Sequence, residues 1–165
     1  ETARILCGRN WLDEKKGFEA ALLHDVAREI SDEEILRLAE SRYELVPEER
    51  ANPLLVHGKA AAVIIEQDLG IEDREILEAA ACHTTGCPGM GPIARAVFIA
   101  GYIEPGRKHI SEEFRERVLE SDLAGGMLLV LDKEIAYLEE KGVSVLDSTL
   151  ELYGEIKNEV ASRAD

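Results

Sequence analysis

Phe18, Leu22, Val26 and Ile30 stand four residues apart, and apolar residues recur at that helical spacing along the whole chain, whereas no stretch alternates apolar and polar residues with any strength. A period near 3.6 with no competing period of two confines the chain to helices, so the sequence predicts an all-α fold. A chain of 165 residues fits one domain of ordinary size and buries a core unaided by disulfides or structural metal. We therefore expect a single domain over residues 1–165. It should form a helical bundle of about seven to nine helices.

Residues 1–10 read as the end of a helix. The next runs over about 13–29 with Asp13 as its N-cap, and its stripe of Phe18, Leu22, Val26 and Ile30 is expected to face the core. Ser31 to Glu34, SDEE, forms a capping box in which the serine accepts from backbone N–H groups and the glutamate reaches back, opening a helix to about residue 42. The turn-rich YELVPEERANP reads as a loop. Helices follow over about 53–69, stopped by Gly70, and about 72–82. Then TTGCPGMGP, with three glycines and two prolines in nine residues, breaks the pattern. IARAVFIAGYIE reads as a buried helix ending at Pro105. Two more are expected at about 112–120 and 122–141, with Gly142 as the stop, and the last begins at a box formed by Ser148 and Glu151. There is no internal repeat, low-complexity tract or linker.

The 34 acidic against 19 basic side chains give a formal charge of −15, which argues against a broad basic surface and so against nucleic acid as a partner. A local positive pocket for a small anion remains compatible with that balance. Cys7, Cys82 and Cys87 are an odd number, unlike a disulfide scaffold, and favour a reducing interior, with Cys82 as a small core residue. No apolar run approaches the roughly 20 residues that span a bilayer, and ETARILCGRNWLDEKK lacks the layout of a signal peptide. The expectation is a cytoplasmic protein with no membrane partner. The chain opens on ETARIL, already helical and without an initiator methionine, which reads as a truncated N-terminal helix.

A histidine on a helix is ordinarily a satisfied structural residue, but three of His24, His57, His83 and His109 have unusual neighbours. His24 precedes Asp25, His57 opens a helix beside Gly58, and His83 stands where a helix runs into the glycine-rich break, so these three are expected to line one cleft. Adjacent helical residues point about 100° apart, yet His24 and Asp25 both reach a divalent cation lying off the seam between them. A buried His–Asp pair capping a helix end is the other reading, and the dipeptide alone does not separate the two. CHTTGC invites a zinc site from Cys82, His83 and Cys87, but a structural zinc needs a further pair of soft ligands and only Cys7 remains. The hydroxyls of Thr84 and Thr85 and the backbone N–H of Gly86 are donors that suit a phosphate oxygen. Arg107, just past IEPG, offers a charge-assisted fork to the same phosphate or stands as a solvated surface arginine.

Taken in order, ALLHDVAREI, VHGKAAAVI, ACHTTGCPGMGPIARAVFIAGYIEPGR and LLVLDKEIAYLEEKG…DSTLELY resemble the YqeK-type branch of the HD-domain metal-dependent phosphohydrolases, over nearly the whole chain. HTTG…GM followed by YIEPGR is specific to that branch. The resemblance implies an all-helical HD fold and a bound divalent metal, commonly iron, with manganese, cobalt or magnesium as alternatives. It implies symmetrical hydrolysis of diadenosine tetraphosphate to two ADP, and it is compatible with a homodimer. By position, His24 and Asp25 match the metal-binding pair, and His57 and His83 match further histidines at the metal–phosphate site, as ligands or phosphate contacts. Asp25, His57 and His83 would carry the chemistry. Thr84, Gly86 and Arg107 match positions near the nucleotide, with Thr85 beside them, and Arg28 stands where the family often has lysine.

Two departures accompany the resemblance. The family's first metal-binding histidine belongs just before Glu1 in the same helix, outside this sequence. Where the family has aspartate before YIEP, this chain has Gly101, which offers no ligand. Water, Glu104, His57 or His83 would have to compensate. The resemblance therefore implies either an active hydrolase or a nucleotide-binding, regulatory HD protein with catalysis impaired at Gly101.

Overall fold

A computed structural model describes residues 1–163. It is all-helical, with no strand among the described residues: α1 (Thr2–Arg9), α2 (Glu14–Leu23), α3 (Asp32–Glu40), α4 (Pro47–Ala51), a 3₁₀ turn (Pro53–Val56), α5 (His57–Gln67), α6 (Arg74–Cys82), α7 (Pro92–Tyr102), α8 (Glu112–Glu120), α9 (Leu123–Glu140) and α10 (Asp147–Ser162). The helix beyond the expected nine is α4, inside the segment read as a loop. Pro47 supplies its first residue and Pro53 that of the 3₁₀ turn, positions where a missing N–H costs nothing.

The core forms around α7, whose Ile93, Ala94, Ala96, Val97, Phe98 and Ile99 are buried and which packs against α1, α2, α6 and α9. Helix α5 adds Ala60, Ala61 and Ala62, all fully buried, and lies along α6 and α3. Side-chain caps hold several starts. Asp13 accepts from the Lys16 N–H at 3.0 Å, Asp73 from Glu75 at 3.0 Å, and Asp122 from Gly125 at 2.7 Å.

Three local expectations are corrected. Helix α2 stops at Leu23, and most of the stripe assigned to the core turns outward, with Phe18 42%, Leu22 71% and Val26 42% exposed, while Ile30, beyond the helix, packs partly buried against the core. The face that packs is the small one, Gly17 and Ala20, because α1 comes so close that a Cβ on Gly17 would sit 2.3 Å from Cys7 Sγ. At Ser31 only half of the capping box forms: its Oγ accepts from Glu34 N–H at 3.3 Å, while the Glu34 carboxylate forks onto Arg37 at 2.7 and 2.6 Å. The last helix starts one residue before Ser148, with Leu146 as an N-cap that makes no side-chain bond.

The cysteines also depart from expectation. Cys82 is buried as foreseen, but it forms a disulfide with Cys87, their Cα atoms 5.6 Å apart, and Cys7 alone is a free thiol. The break that ends α6 doubles the chain back within five residues, and this brings the two side chains together.

Candidate metal and phosphate site

Four helix ends meet at one cleft. His24 is the C-cap of α2 and Asp25 follows it, His57 opens α5, and His83 is the C-cap of α6. The end of α7 closes the opposite wall. Each imidazole is fixed in the same way. Its Nδ1 donates to the carbonyl three residues back: His24 to Ala21 at 2.7 Å, His57 to Leu54 at 2.6 Å, and His83 to Ala80 at 2.7 Å. A carbonyl only accepts, so each Nδ1 carries a proton, and in a neutral ring Nε2 is left with a bare lone pair.

Those Nε2 atoms converge on Asp25. His57 Nε2 lies 2.9 Å and His83 Nε2 3.4 Å from Asp25 Oδ1, and His24 Nε2 lies 3.4 Å from Oδ2. The His57 and His83 Nε2 atoms are themselves 2.9 Å apart. Arg28 holds Asp25 Oδ2 from outside at 3.1 Å, and Thr84 Oγ1 is 3.2 Å from His83 Nε2. Burial pushes His83 below its ordinary value, which keeps its ring neutral and its Nε2 an acceptor.

This arrangement sets acceptor against acceptor. Protonating the rings would place like charges 2.9 Å apart in a half-buried site, whereas one divalent cation satisfies imidazole and carboxylate together. His24, Asp25 and His83 each offer a ligand atom, all within 4.8 Å of one another, and the Nδ1–carbonyl bonds are the outer contacts that orient metal-binding imidazoles. The donor set therefore fits a divalent metal, with His57 Nε2 adjoining it.

Gly58 makes the convergence of α5 and α6 feasible. A Cβ there would lie 2.5 Å from the Ala80 carbonyl and 2.9 Å from His83 Nδ1, the two atoms whose bond fixes His83. Across the cleft, buried Arg115 of α8 donates to the carbonyls of Ile103 (2.9 Å), Glu104 (3.1 Å) and Arg107 (2.7 Å), fastening the IEPGR turn that presents Arg107.

The cleft, about 410 Å³, is lined by His24, Asp25, Arg28, His57, His83, Thr84, Gly101 and Arg107 among others. Thr85 and Gly86 are not among the residues that line the cleft. The Gly86 N–H is spent on the Cys82 carbonyl at 2.9 Å, and the Thr85 carbonyl accepts from Thr149 of α10 at 2.7 Å, so this half of the turn faces α10. No atom lies within 4 Å of a Cβ built on Gly101, and Glu104 lines the cleft as an exposed side chain. His109 is outside the cleft, packing edge-on to Tyr102 at 6.4 Å.

Sequence reasoning missed Glu134 and Tyr102, which also line the cleft. Burial pushes the Glu134 carboxyl up, against the pull of Arg107, and the Tyr102 hydroxyl up to about 12. A signal existed for Glu134, which stands one turn beyond Val130 on the inward face of α9.

The HD domain profile matches residues 1–151. The chain is 30% identical over 156 residues to the symmetrical bis(5'-nucleosyl)-tetraphosphatase of Halalkalibacterium halodurans, covering 94% of this chain and 83% of that protein. It is likewise 30% identical over 154 residues to the Bacillus subtilis protein of the same name, covering 92% and 82%. Among solved structures, a Clostridium acetobutylicum protein described as a predicted HD superfamily hydrolase involved in NAD metabolism superposes with a TM-score of 0.87 at 32% identity, over 96% of this chain and 84% of that one.

Proposed function

The chain belongs to the HD-domain family, whose members bind divalent metals and hydrolyse phosphate bonds, and from that premise we propose that it cleaves dinucleoside polyphosphates symmetrically, diadenosine tetraphosphate giving two ADP. The observation that carries this reading is the meeting of three imidazole Nε2 atoms and one carboxylate in a cleft that also holds Arg28, Arg107 and Thr84.

His24, Asp25 and His83 would hold the metal, with His57 as a further ligand or phosphate contact, and iron is the metal we propose. Bound there, a divalent cation lowers the pKa of water and draws charge from phosphate oxygens. The protein's own share is positioning and charge. Asp25 orients the attacking water from the centre of the cluster. Arg107, held by the carbonyl lattice of Arg115, and Arg28, beside Asp25, neutralise the charge that gathers on the phosphate oxygens as the bond breaks. Thr84 Oγ1 donates to a phosphate oxygen from beside His83. We take the chain as one HD domain whose partner is a small nucleotide. No helix of the described residues is long and apolar enough to cross a membrane.

The test is product analysis. The manganese- or iron-loaded chain should convert diadenosine tetraphosphate to ADP alone, whereas ATP with AMP as products would mean asymmetric attack and sink the reading. The alternative of a regulatory protein impaired at Gly101 is not favoured, since the relatives that share nearly the whole fold carry the names of enzymes.

A further inference from the structure

The segment that delivers His83 and Thr84 to the cleft is closed at both ends by the same covalent bond. Cys82 is the last residue of α6 and Cys87 lies five residues on, so the disulfide rings the His83–Thr84–Thr85–Gly86 turn. We propose that the Cys82–Cys87 bond is a redox-modification site that sets the metal affinity of the cleft by fixing the turn that carries His83. This rests on the metal reading above.

The two cysteines are unequally placed. Cys82 is buried at the end of α6, while Cys87 is partly exposed and the more accessible of the two to a thiolate. Between them, His83 Nε2 faces Asp25 and His57, and Thr84 Oγ1 touches that same Nε2. The remaining fastenings of the turn lie on its far side. They are the Gly86 N–H on the Cys82 carbonyl at 2.9 Å and the Thr149 hydroxyl on the Thr85 carbonyl at 2.7 Å, with Gly86 at φ +71 packed under Leu152. None of them holds the His83 ring itself, which is fixed by its Nδ1 bond to the Ala80 carbonyl at 2.7 Å and rides on the last turn of α6, where the disulfide is anchored at Cys82. The third cysteine is no exchange partner. Cys7 is buried against Gly17, and burial pushes its thiol up to about 11.

The switching step is a two-electron exchange. A dithiol reductant attacks through its thiolate, the Sγ–Sγ bond breaks, Cys82 and Cys87 each gain one electron and one proton, and the reductant leaves as a disulfide. The turn is then held by the Gly86–Cys82 backbone bond and its α10 contacts, and the backbone that carries His83, although the ring keeps its bond to Ala80, loses the covalent constraint that sets its approach to the metal. An oxidant of the disulfide class reverses the step.

Manganese titration of the full chain tests this, comparing the oxidised form, the form reduced with dithiothreitol and desalted without air, and Cys87→Ser, which leaves the buried Cys82 in place. The oxidised protein should bind manganese at least about tenfold more tightly than the reduced protein, the loss typical of a disturbed outer contact. Cys87→Ser should match the reduced form whether or not reductant is present. Equal affinity in the two forms, or three reactive thiols in untreated unfolded protein, would overturn the proposal. Redox-dependent manganese binding without hydrolysis of diadenosine tetraphosphate leaves the redox site standing and removes the substrate reading. Manganese bound by neither form overturns the metal assignment, and the redox site with it.

Discussion

His57 Nε2 lies 2.9 Å from Asp25 Oδ1 across 32 residues of sequence, with the proton of that imidazole committed to the Leu54 carbonyl on its other nitrogen. Two acceptors at that separation are stable only with positive charge between or beside them. Asp25 is therefore the centre of the site, and the histidines are arranged about it.

Asp25→Asn keeps the shape and removes the charge. Metal content after gel filtration should fall to background and hydrolysis should drop by more than about 100-fold, beyond what an outer contact costs. Full metal retention in Asp25→Asn, measured by elemental analysis, would show that the carboxylate is not a ligand.

Gly58→Ala tests how closely α5 must approach α6. The added methyl meets the Ala80 carbonyl at 2.5 Å and His83 Nδ1 at 2.9 Å, and neither is the free end of a flexible side chain. The helices must separate, at a cost of about 1–3 kcal/mol, and the His83 bond to Ala80 must lengthen. Denaturant unfolding should show that loss, and metal affinity should fall with it. A variant of native stability and affinity would mean that the approach is less tight than these distances require.

Much of this was legible in the sequence, for reasons that also explain what was not. Helix class and most boundaries followed from periodicity, and His24, Asp25, His57 and His83 stood out because each interrupts, opens or ends an apolar helix. The face of α2 was misread because Phe18 and Leu22 outweigh Gly17 and Ala20 in any count of apolar residues, while close packing against α1 selects the small ones. That Thr85 and Gly86 lie on the side of the turn away from the cleft was not legible, because a tetrapeptide does not reveal that α10 claims the Thr85 carbonyl across 64 residues. Glu134 and Arg115 were passed over because a charged residue on a long helix is ordinarily solvated, and only the tertiary fold turns these two inward.

Arg115→Met preserves volume and apolar packing but strips the hydrogen bonds to the Ile103, Glu104 and Arg107 carbonyls. Stability should fall by about 1–3 kcal/mol. Because Arg107 then rides on a loosened turn, KM should rise more than kcat falls, and metal content should be unchanged. A fall in kcat at constant KM would place Arg115 in a different role.

Gly101→Asp puts a carboxylate where a Cβ meets nothing within 4 Å, on a helix facing the cleft. The substitution should be neutral or stabilising by a few tenths of a kcal/mol, since glycine in a helix interior is about 0.5–1 kcal/mol worse than alanine and aspartate lies between them. Manganese should bind more tightly, while a variant that folds well with unchanged affinity would show that position 101 does not reach the metal.

Glu134→Gln isolates the partly buried carboxyl of α9. Burial raises its folded pKa above the ordinary 4.5, so ionisation is harder in the folded protein than in the unfolded chain, and the folded state binds the proton more tightly. The sign follows: the carboxyl adds no penalty while it stays protonated, below the ordinary value, and it disfavours folding once the pH rises through its raised folded value. Glutamine carries no such penalty. Thermal unfolding should therefore show Glu134→Gln gaining on the parent chain as pH rises from acid to neutral, with the two converging below pH 4.5. The Arg107 guanidinium opposes the shift, so removing it by Arg107→Met should enlarge the gain. A Glu134→Gln protein less stable than the parent at neutral pH would mean that the Arg107 attraction outweighs burial, and that Glu134 is ionised as part of an ion pair across the cleft.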